Sequence, residues 1–412
     1  MPRVFKLTQI DSKEHLYKRG EGTILNHIRR LSKDVLIYGT GRMVIPFIGI
    51  VTLPILTRFF NPSDYGVIEG IATISSIFAL FSTLMLESSA QRSYYDYKET
   101  EEYERKRILS TSFWTLILWS FILFIPILLN SGRITALFFT ENPQYNFPLF
   151  ISLVAIPGIS LYNFLKEIFR LQNQPVRYSF YSILSALLSA VLIILFVVGL
   201  RTGLTGYFLG SLIASIGLLP FIIWSVRKNI LYVFSWNELK KMLYYSLPLI
   251  PTSGSIWLLT LSDRFFLLKL TSLKELGLYA IGVKLTQVIL MFVTAFGLAW
   301  SPFILSIYSR NKEEEKKVRG RITTYYIFTL ALMALFITLF SRPIILLFAT
   351  REFLDAQKVI GLLALAAAAA GASQVLCTGI SIARRTKFFA IYTGIAAFLN
   401  ILLNAILIPA FG

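Results

Sequence analysis

Eleven stretches of this chain are built almost wholly from apolar side chains, and the connections between them are short and carry most of the charge. No other feature narrows the possible folds so far. A run of about 20 apolar residues crosses the hydrocarbon layer as a helix. Backbone N–H and C=O groups find no water there, so each segment must satisfy them internally. Breaks at charge clusters and at Asn, Pro and Gly place the segments at about 35–60, 65–89, 108–130, 147–170, 179–200, 204–226, 243–270, 277–308, 323–348, 358–382 and 388–409. The expected fold is all-α and polytopic. Of the 412 residues 15% are charged, where a soluble chain carries about a quarter. The first apolar run begins near Val35, behind a basic segment, and is too long for a cleaved leader, so it reads as the first span.

The net charge of +18 points to membrane flanks rather than to nucleic acid, because the cations sit in short clusters between apolar runs. With the N-terminus inside, the cytoplasmic segments hold 29 Lys and Arg and the outer loops 8. That asymmetry alternates loop by loop and orients the chain with a cytoplasmic N-terminus. The connections are too short for a nucleotide-binding or large catalytic domain. No G-x-x-x-x-G-K-[ST] occurs, so ATP hydrolysis by this chain is not expected. Cys377 is the lone cysteine, and His15 and His27 both precede the first span, so neither a disulfide framework nor a cofactor is expected.

The sequence repeats weakly. Thr57-Arg58-Phe59-Phe60 returns as Asp263-Arg264-Phe265-Phe266 at an offset of 206. Ser63-Asp64-Tyr65-Gly66 returns as Lys274-Glu275-Leu276-Gly277 at 211, and Gln174-Pro175-Val176-Arg177 as Arg384-Arg385-Thr386-Lys387 at 210. Both copies would start on the cytoplasmic side, as parallel copies related by an axis along the membrane normal. The domains expected are a cytoplasmic segment 1–34, a six-helix lobe 35–230 and a second lobe 231–412 of five helices. Under the repeat, Gly412 falls where the first copy turns into its sixth span, and this predicts one further helix in the intact protein.

An ionisable residue at the bilayer centre costs roughly 2.5–3.5 kcal/mol, and it faces a partner or an aqueous cavity. Arg42 and Lys284 each lie about seven residues inside their spans, roughly 10 Å deep at 1.5 Å per residue. Either they snorkel or they line a cavity that attracts an anion. Asp263 and Arg264 read as an ion pair near the outer end of span seven, and Glu69 as a partner for Arg58. Glu87 reads as structural. Span one carries Pro46 and Pro54 and span seven carries Pro248 and Pro251, so kinked segments at matching positions become candidates for gating.

Several of these segments resemble polysaccharide flippases of the Wzx type. They are Pro54-Ile55-Leu56-Thr57-Arg58 followed by Pro62-Ser63-Asp64-Tyr65-Gly66; Ser262-Asp263-Arg264; Gly277-Leu278-Tyr279-Ala280; Ala299-Trp300-Ser301-Pro302-Phe303; and Asn400 through Pro409. The resemblance runs from about Val35 to the end. It implies the superfamily that joins multidrug antiporters, the lipid II flippase and oligosaccharide flippases, with two six-helix lobes around a central cavity. The substrate implied is an undecaprenyl-pyrophosphate-linked oligosaccharide, moved across the bacterial inner membrane by alternating access for surface polysaccharide such as the O-antigen of lipopolysaccharide. Membrane lipids, a polysaccharide polymerase and chain-length machinery are the partners implied. Arg42 and Lys284, with Asp263 and Arg264, would then meet the pyrophosphate. A drug or organic-cation antiporter of the same fold is the alternative, and a membrane oligosaccharide polymerase or ligase a more distant one.

The topology is open to direct test. A cysteine introduced beside Lys316 is labelled by an impermeant maleimide only from the cytoplasm, and one beside Ser272 only from outside. Labelling of both from one face overturns the eleven-span reading.

Overall fold

The structure is a computed structural model that describes residues 39, 43–98, 100–139, 142–310, 312–378 and 386–411, and every regular element among them is helical. In chain order these are α1 (Met43–Leu56), α2 (Pro62–Ser82), α3 (Leu86–Asp96), α4 (Glu102–Leu129), α5 (Ser131–Phe138), α6 (Asn146–Leu171), α7 (Pro175–Ile194) and α8 (Gly203–Gly217). There follow α9 (Leu219–Val226), α10 (Trp236–Ser246), α11 (Leu249–Leu270), α12 (Leu273–Arg310), α13 (Lys312–Leu339), α14 (Ser341–Phe348), α15 (Gln357–Leu376) and α16 (Thr386–Phe411). The described parts of all eleven apolar segments are mainly helical. Nine helical segments among the described residues are long and apolar enough to cross a membrane. The first segment, α1, is shorter, and α11 carries Asp263, Arg264 and Lys269.

Four expected spans are interrupted, the seventh at Leu247 and Pro248 between α10 and α11. The second breaks between α2 and α3, where Leu84 and Met85 take left-handed φ of 48° and 54°. Such values are uncommon for non-glycine residues and cost energy. Contacts with Thr83 Oγ1, which accepts from the Met85 amide at 3.3 Å, and with Ser253, whose hydroxyl lies 3.3 Å from Met85 Sδ, hold the turn. The sixth span breaks at Leu218, with Pro220 in the first turn of α9, where its missing N–H leaves no bond unmade. The ninth breaks at Phe340, between α13 and α14.

The elements before α10 pack mainly on one another, through α2, α4, α6, α7 and α8. Those after it pack likewise, through α12, α13 and α15 and through α11 with α16. Hydroxyls bridge neighbouring helices where hydrocarbon offers no other partner: Ser75 to Ser152 at 2.8 Å and Ser82 to Ser160 at 2.5 Å join α2 to α6. Ser262 donates to Asn400 at 2.7 Å and accepts from Asn404 at 3.1 Å, which fastens α16 to α11.

The two groups meet chiefly through α2 against α12, and next through α2 against α11. The first turns of α2 and α12 are built alike. Asn61 and Asp64 form a capping box, each side chain and backbone amide meeting at 3.0 Å. Ser272 and Glu275 form another, at 3.0 and 3.2 Å. Both boxes satisfy amides that the helix start leaves open. Two residues beyond each box comes a glycine. A Cβ on Gly66 would lie 1.8 Å from the Leu273 carbonyl oxygen, and one on Gly277 would lie 1.8 Å from that of Pro62. The contact is reciprocal and is made by backbone, which no side chain's rearrangement can relieve.

Gly66→Ala and Gly277→Ala are therefore expected to force the helices apart. Each lowers the yield of monodisperse protein in detergent severalfold. Gly394→Ala, where a Cβ meets nothing within 4 Å, leaves the yield unchanged or raises it, since alanine favours a helix by about 0.5–1 kcal/mol. Size-exclusion profiles of the three variants check this; equal profiles would show that the crossing is looser than the structure gives.

Candidate functional site

The helix crossing aims several polar side chains at one another. Tyr65 and Glu69 stand one turn apart on α2, and Gly277, Ile281 and Lys284 recur at helical spacing on the α12 face that meets it. Long side chains on a helix lean toward its N-terminus, and the Lys284 ammonium accordingly lies over the Tyr65 ring, 5.0 Å from its centroid. Tyr65 is fully buried, edge-on to Phe353 at 5.4 Å. Its hydroxyl finds no hydrogen-bond partner among the described residues.

From α11, Arg264 brings its Nε to 2.6 Å from Glu69 Oε1. The approach is off the N–H axis, so it is a charge pair rather than an aligned hydrogen bond. Nη1 of Arg264 donates to the Thr260 carbonyl at 2.8 Å and lies 3.8 Å from Asp263 Oδ1. The other Asp263 oxygen accepts from the Tyr279 hydroxyl of α12. Tyr207, on α8, is within electrostatic reach of Glu69. Three helices thus share one chain of contacts, from Lys284 past Tyr65 and Glu69 to Arg264, Asp263 and Tyr279. The pair is partly buried, with side-chain exposure of 11% at Arg264 and 20% at Glu69.

Two cations face two carboxylates, but the matching is uneven. Glu69 is taken by Arg264 and Asp263 by a phenol, while Lys284 has the aromatic face of Tyr65 and Glu69 only as a more distant charge. Low-dielectric surroundings make each charge act more strongly than it would in water. The arrangement can hold an anionic group at Lys284, and can release a carboxylate only by breaking an existing contact.

The structure brings together Lys284, Arg264 and Asp263. Arg42 lies outside the described residues. Pro46 and Pro54 lie within α1, whereas Pro248 caps α11 and Pro251 sits in its first turn, where amides have no intrahelical partner anyway. At span seven these prolines therefore start a helix instead of kinking one. The expected Glu69–Arg58 pair is not made: Arg58 is exposed, and Glu69 turns to Arg264. The Asp263 and Arg264 side chains pair loosely at 3.8 Å, each having a nearer partner, and Asp263 Oδ1 also accepts from the Arg264 amide at 2.8 Å. Tyr65 and Tyr279 escaped the sequence reading as site residues, although Tyr65 stands one turn ahead of the intramembrane Glu69.

Two apolar clefts flank the helices. One, of about 660 Å³, lies among α1, α12, α13 and α14 and is lined by Ile50, Leu285, Val288, Met333 and Phe336 among others. Leu285 puts it one residue from Lys284. The other, of about 410 Å³, lies among α4, α6, α8 and α9.

Comparison with known proteins agrees with this architecture. The profile of the polysaccharide biosynthesis protein family matches residues 31–308, and that of the MatE family residues 248–406. An uncharacterized membrane protein of Haemophilus influenzae is 24% identical over 282 residues, 66% of this chain. The chain spans 65% of that relative's length. Among solved structures, the lipid II flippase MurJ in an inward closed conformation superposes with a TM-score of 0.72 at 18% identity, over 92% of this chain and 82% of MurJ. The MATE multidrug transporter DinF-BH, solved as a complex, gives 0.61 at 16%, over 93% and 95%. At these identities the likeness is one of fold, that of multi-pass membrane transporters.

The charge pair between α2 and α11 has a measurable signature. Glu69→Ala leaves Arg264 buried without its partner, and breaking such a pair costs on the order of 3–5 kcal/mol. The melting temperature in detergent falls for Glu69→Ala and for Arg264→Ala, and the double variant recovers part of the loss. Strictly additive losses in that cycle would mean the two residues do not interact.

Proposed function

The chain belongs to the polysaccharide biosynthesis protein family, and on that premise we propose that it is a flippase for an undecaprenyl-pyrophosphate-linked oligosaccharide. It acts in the bacterial inner membrane with its N-terminus in the cytoplasm, and serves surface polysaccharide assembly such as that of O-antigen. Polymerase and chain-length proteins would take up its product.

The observation that carries this reading is Lys284. It is a cation deep in the α2–α12 contact, held against the Tyr65 ring and in no ion pair among the described residues. A pyrophosphate headgroup supplies the anion that such a site lacks, and Arg42 adds a second cation from span one. The polyprenyl tail needs no polar partner and stays in hydrocarbon. The apolar cleft is lined by Leu285, the residue after Lys284 on α12. Translocation proceeds by alternating access of two lobes about a central cavity, with Pro46 and Pro54 in α1 as points of bending and the joint before α11, marked by Pro248 and Pro251, as a hinge. Arg264 and Asp263 hold the contact between the lobes and reach the headgroup as it passes.

A second reading is favoured by Asp263, whose carboxylate accepts from a phenol and from the Arg264 amide and has its nearest guanidinium nitrogen 3.8 Å away. A drug or organic-cation antiporter of this fold would use such an acid to hold its substrate. The depth of the basic Arg42 and Lys284 argues against this reading, while Glu69 and Asp263 lie beside Arg264.

Reconstituted vesicles separate the two readings. With a fluorescent undecaprenyl-pyrophosphate oligosaccharide in one leaflet, the protein moves the label into or out of reach of an impermeant reductant. Lys284→Ala and Arg42→Ala cut the rate at least tenfold at unchanged protein level, and Arg42→Lys retains part of it, since a point charge still meets a phosphate. Normal rates in both alanine variants would remove these residues from the site. Uptake of an organic cation, lost in Asp263→Asn, with no movement of the glycan lipid would establish the second reading.

A further inference from the structure

The connection between α9 and α11 carries a surface that neither reading uses. Residues 227–248 join the end of one apolar helix to the start of another, so they lie where hydrocarbon gives way to headgroups. Within them α10 is two-faced. Glu238, Leu239, Met242 and Ser246 are buried. The Glu238 carboxylate binds Lys241 at 2.9 Å, accepts from the Tyr97 hydroxyl at 3.3 Å and lies 3.4 Å from Arg107 of α4. Ser112 of α4 donates to Met242 Sδ at 3.3 Å. These contacts fix which face of α10 looks outward.

The outward face repeats Trp236, Lys240 and Tyr244 at intervals of four residues, all exposed. Just upstream Trp224 is 66% exposed and Tyr232 95%. Arg227 lies over the Trp224 ring at 4.6 Å and Lys240 over that of Trp236 at 5.7 Å. Arg227, Lys228 and Lys240 make no ion pair with a carboxylate among the described residues. Indole and phenol rings with one wet edge settle at the headgroup level. Cations held among them lack only an anion.

We propose that this face, formed by Arg227, Lys228 and Lys240 with Trp224, Trp236 and Tyr244, binds the anionic phospholipid headgroups of the leaflet in which α9 and α11 end. The partner is anionic rather than generic lipid because this connection carries three exposed cations in no ion pair among the described residues, Arg227 and Lys228 in the turn after α9 and Lys240 on α10, while the acid of α10, Glu238, points inward. Each cation near a membrane surface is worth roughly a fivefold preference for anionic lipid. Binding would anchor the segment that joins the two halves of the molecule, leaving the buried Glu238 contacts as its inner attachment.

Quenching of tryptophan by lipids with brominated tails tests this on the whole purified chain in mixed micelles. The signal of these two indoles is the difference between the unaltered protein and Trp224→Phe/Trp236→Phe. Brominated phosphatidylglycerol is expected to quench it at a concentration at least tenfold below brominated phosphatidylcholine. The preference disappears in Arg227→Gln/Lys228→Gln/Lys240→Gln and survives in Arg227→Lys/Lys228→Arg/Lys240→Arg, with helical circular dichroism unchanged in both. Equal quenching by the two lipids in the unaltered protein, or a preference that persists after neutralisation, overturns the proposal.

Discussion

Where α2 crosses α12, two peptide backbones touch without intervening side chains, and most of what is distinctive in this molecule is built on that contact. In hydrocarbon the helices gain little from hiding apolar surface, because lipid tails are as apolar as leucine. Association rests on close packing and on polar contacts instead. Gly66 and Gly277 allow the approach, and the Asn61–Asp64 and Ser272–Glu275 boxes satisfy the amides of both helix starts at the place where they meet. The same approach sets Lys284 over Tyr65 and turns Glu69 toward α11.

The charges gathered there are unlike in consequence. The Glu69–Arg264 pair ties α2 to α11, so a motion that separates these helices must replace it. Buried pairs of this kind contribute little net stability, yet losing one partner is costly. That asymmetry suits a pair that ties α2 to α11. Lys284 stands apart, because its attraction to an aromatic face is weaker than a pairing with phosphate would be.

Much of this was legible beforehand. The described parts of the eleven apolar segments are mainly helical, and the offset of 211 between Ser63-Asp64-Tyr65-Gly66 and Lys274-Glu275-Leu276-Gly277 is the spacing of the two capping boxes and of the glycines that meet. Lys284, Asp263 and Arg264 stood out because ionisable side chains are costly in the bilayer. Nearness along the chain points Glu69 to Arg58, whereas the packing of α2 on α11 gives it Arg264. The left-handed turn at Leu84 and Met85 gave no signal at all, since neither residue favours that conformation and contacts with Thr83 and Ser253 hold it.

What the sequence determined by itself was everything that depends on a residue and its near neighbours. Apolar length fixes a spanning helix, Asn or Ser three residues before an acid fixes a helix start, and the placement of cations argues for an orientation. What only the tertiary structure decided was which charge answers which. Arg264 is nearly two hundred residues from Glu69 in sequence and 2.6 Å away in space, because α2 lies against both α11 and α12. Pairing energies inside a membrane depend on distance and burial, neither of which is written in the spacing of residues along one helix.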